Sequence, residues 1–177
     1  MGIFLSTVIL ASLFLILGIA FAFEGFKKCA FAFLRSKSAA YVLVGVAGAW
    51  FLWILYNLTE ADFGQYKYIL MAVFGGAGLL SFKYLPDFLS VRGLSVLMLL
   101  SLREFVNSAY MLDEPYKAVF VSYCYALVVV FIYFGCLPYR MRDLFEGVYA
   151  KPVRVKILSA FFVVSAAILF LTASTYN

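Results

Sequence analysis

Apolar residues in this chain fall into six long runs, and most polar positions are collected in the short segments between them. A hydrocarbon core ~30 Å thick is crossed by about 20 helical residues, so each run is long enough to read as a membrane-spanning helix. The pattern predicts spans over 3–23, 40–58, 66–85, 93–111, 118–137 and 157–174. The first run has no basic side chain before it, which argues for a retained helix over a cleaved leader.

Two of the intervening segments have a helical pattern of their own. In 24–38, Phe23, Phe26, Ala30, Phe33 and Leu34 recur at helical spacing opposite Glu24, Lys27, Lys28 and Arg35, with Glu24 and Lys28 placed to pair. In 138–152, Met141, Leu144, Phe145 and Val148 form a similar stripe opposite Arg142, Asp143 and Glu146. Both read as short amphipathic helices lying in the membrane interface. A shorter segment, "FKYLPDFLSVRG", has a similar plan. The expected fold is therefore an all-α integral membrane protein. It is a single polytopic domain over 1–177, with six transmembrane helices in a compact bundle, arranged as three hairpins joined by amphipathic elbows. Three helices per half would permit an inverted repeat, but no residue-for-residue repeat is visible.

Composition adds that no large soluble part is expected. Of the 177 residues, 66% are hydrophobic and 13% charged, and the mean hydropathy is +1.02, far from a soluble domain. No hydrophilic stretch is long enough for a separate catalytic or nucleic-acid-binding domain, so nucleic acid is not an expected partner. Charge then orients the chain. Lys27, Lys28, Arg35, Lys37, Lys83, Arg92, Arg140, Arg142, Lys151, Arg154 and Lys156 follow the odd-numbered spans, which is eleven of the 14 basic residues. The positive-inside rule puts these segments inside and both termini outside, periplasmic for a bacterial inner membrane. Tyr66, Tyr68, Tyr110, Tyr116 and Tyr176 near one boundary and Tyr84, Tyr139 and Tyr149 near the other read as interface anchors. Lys27, Lys28, Arg35, Arg140, Arg142, Lys151 and Arg154 are candidate contacts for anionic headgroups, worth about 1 kcal/mol per charge near the surface. Retention of topology with no specific lipid is the plainer explanation of the same charges.

The chemistry available is narrow. Histidine is absent, which removes bis-histidine haem, the usual zinc sites and any His-dependent triad. Cys29, Cys124 and Cys136 are isolated from one another and read as small apolar side chains. No metal or other cofactor is expected. Gly45 and Gly48 on the second span, and Ala72, Gly75 and Gly76 on the third, share faces by their spacing. They predict a tight hairpin with Trp50 and Trp53 beside its seam, a glycine hinge being the other reading.

The costly residues lie in "SLREFVNSAY". An Arg at mid-membrane costs at least ~2.5 kcal/mol and needs a partner or water. If the fourth span covers 93–111, Arg103, Glu104, Asn107 and Tyr110 form a polar wedge facing other helices or a cavity. Arg103 and Glu104, about 100° apart on the helix, are not expected to pair with each other. Partners would then be Tyr56, Asn57, Glu60, Asp62, Tyr123 or Tyr125. If the span shifts to 85–102, both charges reach the outer interface and snorkel. Asn57-Leu58-Thr59 is also a formal glycosylation sequon. Among functions, a non-catalytic membrane subunit or scaffold, packed with lipid and with other subunits or itself, ranks first. A small-solute or ion transporter using the wedge comes second. A lipid-headgroup enzyme using Asp143 and Glu146 comes last, because no phosphate-cradling loop or metal-binding carboxylate motif accompanies them.

Overall fold

The computed structural model describes residues 2–23, 25–59, 64–84 and 87–176. The apolar runs become long helices: α1 (Ile3–Ala22), α3 (Lys37–Tyr56), α4 (Lys67–Tyr84), α5 (Leu89–Ser108), α6 (Lys117–Cys136) and α8 (Pro152–Ala173). The amphipathic segments become α2 (Phe26–Leu34) and α7 (Tyr139–Tyr149), and a 3-10 turn at Gly64–Tyr66 leads into α4. No strand occurs among the described residues. Four helices, α1, α3, α6 and α8, are long and apolar enough to cross a membrane. The other two fall short on composition: α4 has Lys67 and Lys83 within its 18 residues, and α5 carries Arg92, Arg103 and Glu104.

Local chemistry sets several boundaries away from the expected ones. Ser36 caps α3, its hydroxyl accepting from the Ala39 N–H at 3.1 Å, so that helix begins three residues before the apolar run. Pro152, with its fixed φ, opens α8 five residues before the expected start. The fourth span also moves: α5 covers Leu89–Ser108 in place of 93–111, which leaves Arg103 and Glu104 in its last two turns. The i,i+4 pair expected of Glu24, and the acidic residues Glu60 and Asp62, lie outside the described residues.

Packing organises the helices around α5. One apolar cluster gathers Ile3, Leu10, Phe14, Leu102, Phe105, Phe120, Cys124, Leu169 and Tyr176. A second gathers Phe21, Ala30, Leu34, Val91 and Phe145, with Tyr149 and Phe162 against it. The first joins the start of α1 to the ends of α5 and α8, and the second joins the end of α1 to α2, the start of α5 and α7. Helices α1 and α8 are therefore antiparallel, and α5 spans from one cluster to the other. Helix α3 lies against α5, and α4 lies outermost on α3 with no buried residue.

Backbones meet closely at two glycines. A Cβ at Gly18 would stand 2.8 Å from Val163 Cγ2 and 3.2 Å from the Val163 nitrogen on α8. One at Gly93 would stand 2.9 Å from Val44 Cγ2 and 3.0 Å from the Val44 nitrogen on α3. The Ser159 hydroxyl donates to the Gly18 carbonyl at 2.7 Å, so the α1–α8 approach also carries a hydrogen bond across the helices. The expected seam between α3 and α4 is corrected by the same measure. Nothing lies within 4 Å of a Cβ built at Gly45, Gly48 or Gly76, Gly75 meets only Leu52 methyls at 3.9 Å, and Ala72 is exposed. Helix α3 turns a different face inward, where Ala40, Ala47 and Leu55 are buried.

A candidate amphiphilic cleft between α3 and α5

The last turns of α3 and α5 diverge around a cleft of about 460 Å³ lined by Trp50, Trp53, Ile54, Asn57, Leu58, Arg103 and Glu104. Positions 50, 54 and 57 lie on one face of α3 by their i, i+4, i+7 spacing, and that face turns the indole of Trp50 toward α5. Asn57 follows the last turn of α3, and its side-chain amide donates at 2.8 Å to the Trp53 carbonyl, which also accepts the Asn57 backbone N–H at 3.2 Å. From α5, Arg103 Nη1 donates to Glu104 Oε1 at 2.9 Å.

That ion pair differs from the expectation that neighbours 100° apart would not meet. Both side chains are long and half exposed, 52% for Arg103 and 43% for Glu104, so each bends along the helix surface to the other. The pair is locally neutral and remains open to whatever occupies the cleft. Of the expected wedge, Arg103 and Glu104 are brought together with α3, whereas Asn107 and Tyr110 are exposed and line no part of the cleft. Tyr123 packs edge-on against Phe14 at 5.6 Å, in the first apolar cluster. Tyr56 takes the Lys67 ammonium over its ring at 5.2 Å.

The cleft pairs a broad aromatic wall with one cation, one anion and one amide. Such a surface suits a polar headgroup or a short polar segment with apolar flanks, held by stacking and charge-assisted hydrogen bonds. No group of three or more His, Cys, Asp or Glu placed to hold a metal occurs among the described residues. Sequence reasoning placed Trp50 and Trp53 beside a glycine seam with α4. Their shared spacing with Asn57 was the signal that could have assigned them to the polar cleft.

The basic residues expected at lipid headgroups gather at the opposite end, on α2, α7 and the start of α8. The Lys27 ammonium lies 5.9 Å from the Tyr149 ring centroid, and Lys28 is exposed. Arg35 follows α2 and is exposed. Arg140 stands 3.9 Å from Asp143, and Arg142 stands 3.4 Å from both Asp143 and Glu146. Lys151 precedes α8, and Arg154 donates to the Gly147 carbonyl at 2.8 Å, tying α8 back to α7. Tyr149 stacks against Phe21 at 6.2 Å in the second apolar cluster. Burial pushes its phenol above the ordinary value. No protein-family model matches the chain, and no curated protein or solved structure matches it either.

Proposed function

We propose that the chain is a non-catalytic membrane subunit or scaffold that crosses the bilayer six times, with both termini outside and the α2–α7 elbow in the inner, anionic leaflet. The two apolar clusters support the passage of α5, which reaches both despite its charges. The clustering of basic side chains on α2, α7 and the start of α8 supports the orientation.

One observation carries the subunit reading: α4 has no buried residue. Ile69, Val73, Leu79 and Leu80 are all more than half exposed, and the helix rests on α3 and its own preceding turn. A helix in lipid gains little from apolar contact alone, so one kept beside a bundle by so few contacts is well suited to hold a neighbouring membrane helix. A photo-crosslinking residue at Val73 or Leu80 is expected to capture one discrete membrane protein or a second copy of the chain. Lipid adducts alone, together with a partner-free monomer after mild solubilisation, would sink the reading.

The α3–α5 cleft favours a second reading, a small-solute or ion transporter with Arg103 and Glu104 at its site. Solute flux in liposomes that is abolished by Arg103→Ala would favour it over the first. Unchanged flux would remove the site.

A further inference from the structure

A second cleft, of about 300 Å³, opens at the other end of the molecule between α2, the start of α5 and α7, lined by Phe31, Leu34, Arg35, Phe88, Arg142 and Glu146. Its construction is specific. The Ser90 hydroxyl donates to the Phe33 and Leu34 carbonyls at 2.8 and 3.2 Å, clamping the C-terminal end of α2 onto the first turn of α5. Immediately before that turn, Phe88 adopts left-handed backbone, with φ of 54°, which an aromatic residue rarely does and which places its ring in the cleft wall. From α7, Phe145 packs against Phe31 at 6.1 Å and fixes the third wall.

The charges facing this space are two guanidiniums and one carboxylate. Arg35 makes no ion pair among the described residues, so its donors are open to a ligand. Arg142 is shared between Asp143 and Glu146, both at 3.4 Å, with Glu146 beside the opening. A ligand that bore only negative charge would meet Glu146 unfavourably. One carrying a phosphate and an amine separated by a short linker would satisfy both signs, the phosphate on Arg35 and Arg142 and the ammonium on Glu146. The volume lies at the lower end of the range for small-molecule sites, room for a headgroup but not for a whole lipid. Phe31, Leu34 and Phe88 supply its apolar lining.

We propose that this cleft seats the headgroup of a single phospholipid carrying both a phosphate and a primary ammonium, the chemistry of phosphatidylethanolamine. The proposal rests on the α2–α7 elbow lying at the membrane interface, and not on the subunit reading. Retention of added lipid by the purified full chain, read by native mass spectrometry in detergent, tests it independently of any partner.

The wild-type chain should keep one phosphatidylethanolamine in preference to phosphatidylcholine, whose quaternary ammonium cannot donate, and to phosphatidylglycerol, which has no amine. Arg35→Gln should lower retention about ten-fold, the scale of one charge-assisted hydrogen bond, and Arg35→Lys should restore part of it. Glu146→Gln should narrow the preference for phosphatidylethanolamine over phosphatidylcholine. The proposal is overturned if Arg35→Gln retains lipid as the wild type does with an unchanged melting temperature, or if the wild type does not distinguish the three lipids. It is also overturned if soluble phosphoethanolamine at equal concentration displaces the lipid, which would make the ligand a free headgroup.

Discussion

Single glycines determine how near two helices can come, and here the molecule offers its own control. At Gly93 an added methyl group would press on the Val44 backbone nitrogen at 3.0 Å and the Leu43 Cβ at 3.0 Å, neither of which can rotate away. Gly93→Ala should therefore push α3 from α5 and destabilise the fold by about 1–3 kcal/mol, the usual range for overpacking. Gly45→Ala meets open space, and alanine's better helix propensity should leave stability unchanged or raised by up to about 1 kcal/mol. Thermal unfolding of both variants in the same detergent checks the pair; equal losses would mean that the close approach at Gly93 is not what holds α3. This contrast also shows how far spacing alone could be read. Gly45 and Gly48 do share a face, but periodicity carries no information about which face a neighbour covers. Gly18 and Gly93 are each the single glycine of their helices, so no pair of glycines marked either contact.

Elements in this protein are joined by a few polar contacts set among apolar ones, and α2 is the clearest case. Only nine residues long, it is held by burial of Ala30 and Leu34 and by the Ser90 hydroxyl on its last carbonyls. An isolated helix of that length is marginal, so its order depends on tertiary contacts. Ser90→Ala should cost about 1 kcal/mol and raise hydrogen exchange across α2 well above that of α1. Equal protection before and after would show that the apolar contacts suffice.

Helix α7 offers a pH test. Burial raises the Tyr149 phenol above its ordinary pKa of about 10. The folded state thus holds the proton more tightly than the unfolded chain. The associated stability is whole below about pH 10 and is lost as pH rises through the folded value. Unfolding midpoints across this window should fall more steeply for the wild type than for Tyr149→Phe, and parallel curves would exclude Tyr149 as the cause. Both elbows were legible from their amphipathic stripes, because a 3.6-residue period survives in short segments. The Ser90 clamp was not, since its acceptors lie more than fifty residues earlier in the chain. The Arg103–Glu104 pair was misjudged for a related reason: Cβ directions follow from helix geometry, whereas the reach of two long flexible side chains does not.

For the whole molecule, apolar length was enough to find every long helix to within a few residues, yet it could not settle how many of them cross the membrane. Helix α5 shows why. It carries the charges that weaken its claim on composition, and it is also the element packed against α1, α2, α3 and α6. Its charges are tolerable because they sit at its two ends, Arg92 in the first turn and Arg103 and Glu104 in the last two beside the α3 cleft, while Val91, Leu102 and Phe105 are buried. The six-pass proposal makes a labelling prediction that uses the native cysteines. Cys29 on α2 and Cys136 at the end of α6 are both exposed, and both belong to the end of the bundle that carries the basic elbows. Cys124 is buried in the first apolar cluster. With that end inside, a membrane-impermeant maleimide should leave Cys29 unmodified in intact spheroplasts and modify it once they are permeabilised. A cysteine introduced at Asp113, between α5 and α6, should react without permeabilisation. Cys124 should stay unmodified in both conditions until the protein is unfolded. Reaction of Cys29 in intact cells would invert the topology and move the phospholipid cleft to the outer leaflet. Reaction of Cys29 and the introduced residue 113 cysteine from the same side would show that α3, α4 and α5 do not all cross, and would overturn the six-pass proposal.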